Sequence, residues 1–279
     1  MKQLLFFILV FATASVRAQE LKSCCSMPAT AQFNLLASND DFAKAHAEPL
    51  PFSFTSGKGR MITYKTADGK TANAFFVQAE KPTNNWIIMV HEWWGLNDYI
   101  KQEADKLQGE GVNANVLAVD LYDGNVASTK DDAKKFMGML TPARGESILK
   151  GAIAYAGAKA SVYTIGWCMG GGWALQAALL AGTHSAGCVM YYGMPETSIA
   201  KLKNLKGDVL GIFAEKDKWI TPEVVKKFEA DMKEAGKMLI VKSYDADHAF
   251  ANPSNPNFEK TATEDAHRMT LAFLRQRIK

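Results

Sequence analysis

Short, continuous apolar runs recur along the chain, separated by longer stretches in which apolar residues return with helical periodicity. Trp86-Ile87-Ile88-Met89-Val90-His91, Ser161-Val162-Tyr163-Thr164-Ile165, residues 187–192 and Val209-Leu210-Gly211-Ile212-Phe213-Ala214 have the character of strands buried on both faces. Residues 60–65 and 71–79 are rich in β-formers and flank Asp68-Gly69, a hairpin signal that opens the sheet on an antiparallel side. Residues 112–121 and 238–244 supply the remaining strands. Helices are expected from the Asn97 N-cap through Gln108, over 130–140 and 143–156 on either side of Pro142, from Thr221-Pro222-Glu223 to Ala235, and over 257–277. This alternation predicts an α/β fold with a mostly parallel central sheet and helices on both faces.

The 279 residues, 48% hydrophobic and 22% charged, suffice for one well-buried core, assigned to residues 60–279. Residues 19–59 form an N-terminal extension, with a short helix around 39–46 and then Pro49 and Pro51. Residues 1–18 read as an export signal: Lys2 is the positive start, residues 4–14 the apolar stretch, and Val16-Arg17-Ala18 the cut site. That stretch is shorter than the roughly 20 residues of a membrane-spanning helix. The processed protein is therefore expected in the periplasm or secreted, with no membrane attachment. A formal net charge of +3, its lysines spread along helical faces, argues against a nucleic-acid partner.

Four cysteines divide into Cys24-Cys25 in the extension and Cys168 and Cys188 in the body. Cys188 lies inside an apolar strand and reads as a small core residue. The vicinal pair fits a redox pair, a link to another chain or half a metal site with His46, and no spacing singles one out; no metal site is assigned.

Cys168 stands apart. The run Gly166-Trp167-Cys168-Met169-Gly170-Gly171-Gly172 follows a β-branched strand and precedes good helix formers, so it reads as strand, sharp turn, helix. A GxCxGG there is the cysteine form of a nucleophile elbow, whose glycines admit a strained backbone and close strand–helix approach. The helix N-terminus beneath the thiol favours a thiolate and a developing oxyanion.

In parallel sheets, sites lie off the C-terminal strand ends. Reactive types occur there at Glu92-Trp93, Cys168, Asp217 and His248. Nucleophile, acid and histidine follow in the chain order of hydrolase triads. Asp208 starts a strand, and Asp245 and Asp247 crowd His248 in sequence, which leaves Asp217 as the acid. His91 is placed to line the pocket, whereas His46, His184 and His267 read as solvated or capping residues. A thiol with a pKa of about 8.5 needs an imidazole to take its proton, and the carboxylate fixes that imidazole's tautomer. The oxyanion needs two backbone donors, the N–H of Met169 and one from the first strand's loop, for which Trp93 is the candidate. Trp94 suggests an aromatic-lined entrance. None of this chemistry calls for a cofactor.

His91-Glu92-Trp93-Trp94-Gly95-Leu96, Asp120-Leu121-Tyr122, the elbow, Tyr191-Tyr192-Gly193, Asp217 and Asp247-His248-Ala249-Phe250 together resemble the dienelactone hydrolase family of α/β-hydrolases. The resemblance implies Cys168, Asp217 and His248 as the triad. It also implies that Glu92 is a glutamate that contacts the resting cysteine and swings away when substrate binds. Family members clamp a substrate carboxylate with arginines, one of them where this chain has Asn252; Arg144, Lys134 and Lys135 are the cations that would stand in for it. The expected function is an exported, cysteine-dependent hydrolase of a small ester or lactone, working through an acyl-thioester. A glutamine amidotransferase would carry its acid two residues after the histidine, where Phe250 stands. The alternative from another class is a binding or thiol redox-sensing module on the same fold.

Overall fold

The hairpin at Asp68-Gly69 joins β1 (Gly59–Lys65) to β2 (Thr71–Val77), with Gly69 at φ 79° as the turn requires. From β2 onward the chain alternates in the computed structural model, which describes residues 29–37 and 39–278. The expected export signal and Cys24-Cys25 lie outside the described residues. In order come β3 (Asn85–Val90), α3 (Asp98–Gly109), β4 (Asn115–Val119), α4 (Lys130–Met139), α5 (Pro142–Ala156), β5 (Ser161–Trp167) and α6 (Met169–Leu180). There follow β6 (Ser185–Tyr191), α7 (Ile199–Leu202), β7 (Asp208–Ala214), α8 (Pro222–Glu234), β8 (Leu239–Tyr244) and α9 (Lys260–Arg277).

The eight strands lie in the order β1-β2-β4-β3-β5-β6-β7-β8. β1, β2 and β4 pair antiparallel and every other pairing is parallel, so the sheet is mostly parallel as the apolar runs imply. Every residue of β4 is buried, as are residues 87–90 of β3. Register aligns the C-terminal ends: Val90 faces Gly166, Trp167 faces Tyr191 and Ala214 faces Tyr244. The loops carrying Glu92, Cys168, Asp217 and His248 consequently leave one edge of the sheet.

Local chemistry sets the boundaries. Asn97 caps α3 by accepting from the Ile100 N–H, and Thr221 caps α8 by accepting from Val224, with Pro222 at the first turn. Pro142 does not break a helix: it opens α5 behind the Thr141 cap, where it has no N–H to lose. The segment around 196–206 packs into the fold. It holds α7, and Glu196, Leu202 and Leu205 are buried. Cys188 is a free, fully buried core residue, its thiol pushed up to about 12 by burial.

The arm docks on the domain. α1 (Ala29–Ala37) lies against α4 and α6, and α2 (Asp40–Ala45), capped by Asn39, follows it. Phe33 and Phe42 pack edge to face at 5.7 Å, and Lys134 on α4 pairs with Asp40 at 3.0 Å. Among the described residues no helix is long and apolar enough to cross a membrane.

Candidate active site

At the end of β5 the chain turns into α6 within one residue, Cys168, at φ 55° and ψ −121°. A left-handed φ on a residue bearing a Cβ is strained by about 1–3 kcal/mol and persists only where its surroundings enforce it. Here they do. A Cβ at Gly166 would fall 2.0 Å from the carbonyl oxygen of Gly170, and one at Gly170 would fall 2.3 Å from that of His91. The glycines of GxCxGG are thus required because β3, β5 and the start of α6 meet with no room for a methyl group.

The strain directs the thiol at a histidine. Cys168 Sγ lies 3.3 Å from His248 Nε2, and His248 Nδ1 lies 2.5 Å from Asp217 Oδ2. With Nδ1 donating to the carboxylate, Nε2 is the acceptor for the thiol proton. Asp217 is itself held, its Oδ1 accepting from the N–H groups of Trp219 and Ile220 at 2.8 and 2.9 Å. Burial works against the imidazolium, yet the facing charges of Asp217 and Cys168 outweigh it and push His248 up to about 10. Burial pushes the Cys168 thiol up, while His248 and the Met169 N–H, which donates toward the sulfur, hold it down. The candidate nucleophile, acid and histidine are brought together, and Met169 presents its amide to the same sulfur.

Glu92 is buried beside this group and accepts from Asn252 Nδ2 at 3.0 Å. Burial pushes its carboxyl up to about 7, against the Asn252 bond and His248. Asn252 is fully engaged, its Oδ1 accepting from the N–H and hydroxyl of Ser254. Asn252 therefore faces Glu92 rather than an open substrate site. Trp94 is likewise interior, packed edge to face on Trp93 at 5.4 Å. Tyr122 donates to the Trp93 carbonyl at 3.2 Å and so tethers the loop that carries the second candidate oxyanion donor.

His91 does not line a pocket. It is fully buried, with Nδ1 2.6 Å from the Glu92 carbonyl and Nε2 accepting from the Leu121 N–H at 3.0 Å, so it braces the loops after β3 and β4. Arg144 is consumed by Asp68, Asp123 and the Thr71 carbonyl. Lys134 is taken by Asp40.

His46 overturns its expected solvation. It caps α2, with Nδ1 2.7 Å from the Phe42 carbonyl, but its ring is 2% exposed and lies 5.3 Å from the ring of His248 and 5.1 Å from that of Trp93. Phe42 adds edge contacts to Trp93, Trp219 and His248. Burial first, then the nearby His248 charge, drives His46 down to about 3, so it is neutral at ordinary pH. Only a docked arm accounts for this, and nothing in the polar run around His46 signals it.

Cys168 itself has no exposed surface. Two cavities flank it, each of about 560 Å³ including its mouth. One reaches Glu92 past Trp167, Tyr191 and Ala251; the other reaches His46 and His248 past Trp219, Lys216 and Lys218.

A parallel sheet with a strained nucleophile elbow, an acid after β7 and a histidine after β8 defines an α/β-hydrolase. Comparison with known proteins narrows this. The dienelactone hydrolase family profile matches residues 72–278. A Saccharolobus solfataricus protein provisionally named carboxymethylenebutenolidase is 30% identical, over 75% of this chain and 96% of its own length. The carboxymethylenebutenolidase of Pseudomonas sp. (strain P51) is 28% identical, over 68% of this chain and 84% of its own. In fold, the chain is similar to the dienelactone hydrolase-like promiscuous phosphotriesterase P91 from metagenomic libraries. That likeness has a TM-score of 0.67 at 19% identity and covers 80% of this chain and all of that one. The chain belongs to the dienelactone hydrolase family and is a hydrolase of the ester- and lactone-cleaving kind that the family name denotes.

Proposed function

We propose that the protein cleaves a small carboxylic ester or lactone through an acyl-thioester on Cys168, and that residues 1–18 export it to the periplasm or the medium. The observation that carries the mechanism is the continuous chain from Cys168 Sγ to His248 Nε2, and from His248 Nδ1 to Asp217 Oδ2, at 3.3 and 2.5 Å.

His248 takes the thiol proton as Sγ attacks the carbonyl carbon, and the oxyanion that forms is met by the Met169 N–H and a donor from the Trp93 loop. Collapse breaks the C–O bond, and the imidazolium returns the proton to the leaving alkoxide. A water then attacks the thioester carbonyl, again losing its proton to His248, and the acid leaves with Cys168 restored. Asp217 holds the required tautomer throughout. Glu92, beside the thiol, opposes a resting thiolate as long as it is charged. Phe42 and His46 pack on His248, so withdrawal of the arm widens the approach to the sulfur. The relatives named carboxymethylenebutenolidase support a lactone among the substrates.

The test assays purified wild-type protein and Cys168→Ala against a panel of aryl esters and unsaturated lactones. Turnover in the wild type and its loss in the variant are expected; unchanged turnover in the variant refutes the assignment. The processed N-terminus of protein recovered from the periplasm or medium tests export.

A further inference from the structure

His46, Cys168 and His248 are all buried, and each places one donor atom so that the three lie within 4.8 Å of one another. We propose that this cluster is a binding site for a zinc-class metal ion, which closes the arm over the catalytic group and holds the enzyme in an off state.

The donors suit such an ion. One thiolate and two imidazoles form a set that zinc takes tetrahedrally, with bonds of about 2.0–2.3 Å and a fourth position left for water. Neighbouring donors around such an ion stand about 3.4–3.6 Å apart. Cys168 Sγ and His248 Nε2 already stand at 3.3 Å, so His46 is the ligand that must draw inward. His46 belongs to the arm, the part of the site carried by an element outside the sheet.

Both imidazoles are oriented as metal ligands usually are, with the second ring nitrogen anchored to an oxygen. His248 gives Nδ1–H to Asp217, and His46 gives Nδ1–H to the Phe42 carbonyl. That leaves Nε2 of His46 with a free lone pair, and it is a buried polar atom with no hydrogen-bond partner among the described residues. A buried, unpartnered acceptor carries a cost of about 1–3 kcal/mol, which a bound ion would remove. The cavity lined by Trp219, Lys216, Lys218 and Asp247 reaches both imidazoles and gives the ion a route in.

The proton balance is simple. Resting Cys168 and His248 share one proton between Sγ and Nε2. The ion needs both lone pairs, so binding releases that proton and leaves both Nδ1–H bonds intact. With nucleophile and base both coordinated, no ester is cleaved until the ion departs. Metal binding does not require Cys168 to be acylated by any substrate, so this site stands or falls separately from the proposed reaction.

The experiment titrates Co²⁺, then Zn²⁺, into reduced, chelator-stripped full-length protein. The expected result is one equivalent of tetrahedral cobalt with a thiolate-to-cobalt charge-transfer band, displaced by Zn²⁺ with release of about one proton. His46→Gln should weaken binding at least about tenfold, and Cys168→Ser should abolish the band. In wild-type protein Zn²⁺ should also slow alkylation of Cys168 by iodoacetamide, a readout that needs no variant to fold. Absence of the thiolate band, equal affinity in His46→Gln, or unprotected alkylation each overturns the proposal.

Discussion

The ring of His46, at the end of the arm's second helix, lies 5.3 Å from the ring of His248, the histidine bonded to Cys168. An N-terminal segment that belongs to no sheet element thus forms part of the wall of the reaction centre. If that segment gates the thiol, access to Cys168 follows how firmly it is held.

Phe42 is the main anchor, fully buried between Trp93, Trp219 and His248. Burying a phenylalanine contributes about 1.5–3 kcal/mol, so Phe42→Ala should raise the open population by about 10- to 150-fold. The rate of iodoacetamide labelling of Cys168 should rise accordingly. An unchanged rate would mean that the arm does not gate the thiol.

Low pH should loosen the same contact. His46 is driven from its ordinary 6.5 to about 3 in the folded protein, so the released arm binds the proton that the docked arm refuses. Docking strength is full above about 6.5 and declines as pH falls from there toward about 3. The charged groups facing the ring are His248, Asp217 and Lys130. Hydrogen exchange of the α2 amides, corrected for intrinsic rate, should accelerate over this window, and His46→Gln should flatten the dependence.

Glu92 gives the opposite sign. Its folded value is raised from 4.5 to about 7, so its contribution to stability is present below about 4.5 and is lost as pH rises through 7. Glu92→Gln keeps an oxygen for Asn252 and carries no charge. Denaturant midpoints of the variant should therefore fall less than those of the wild type between these pH values. Its thiol should also alkylate faster above pH 7, because burial alone then pushes Cys168 up, without the added Glu92 charge.

Asp217→Asn should lower kcat by about 10³- to 10⁴-fold with the fold retained, since an amide can hold the imidazole in the wrong tautomer. A loss below tenfold would assign the orientation of His248 to some other group.

The elements were legible because their signals are local. Apolar runs marked β3, β5, β6 and β7, and the caps Asn97 and Thr221 marked helix starts. The elbow was legible because Gly166 and Gly170 are dictated by backbone crowding, which permits no other residue. The order of Cys168, Asp217 and His248 followed once those strand ends were placed. What escaped depends on long-range packing. His46 lies in a polar stretch whose burial arises only when the arm docks. The roles of His91 as a brace, of Asn252 as the partner of Glu92 and of Arg144 as the partner of Asp68 and Asp123 are set by residues distant in sequence.

The central claim is that Cys168 carries the acyl group. Mass spectrometry of peptides from protein quenched in acid during turnover of an activated aryl ester tests it most directly. The account predicts an acyl increment on the peptide containing Cys168, removable by hydroxylamine and absent from Cys168→Ala. Turnover at the wild-type rate with no increment on that peptide would contradict it.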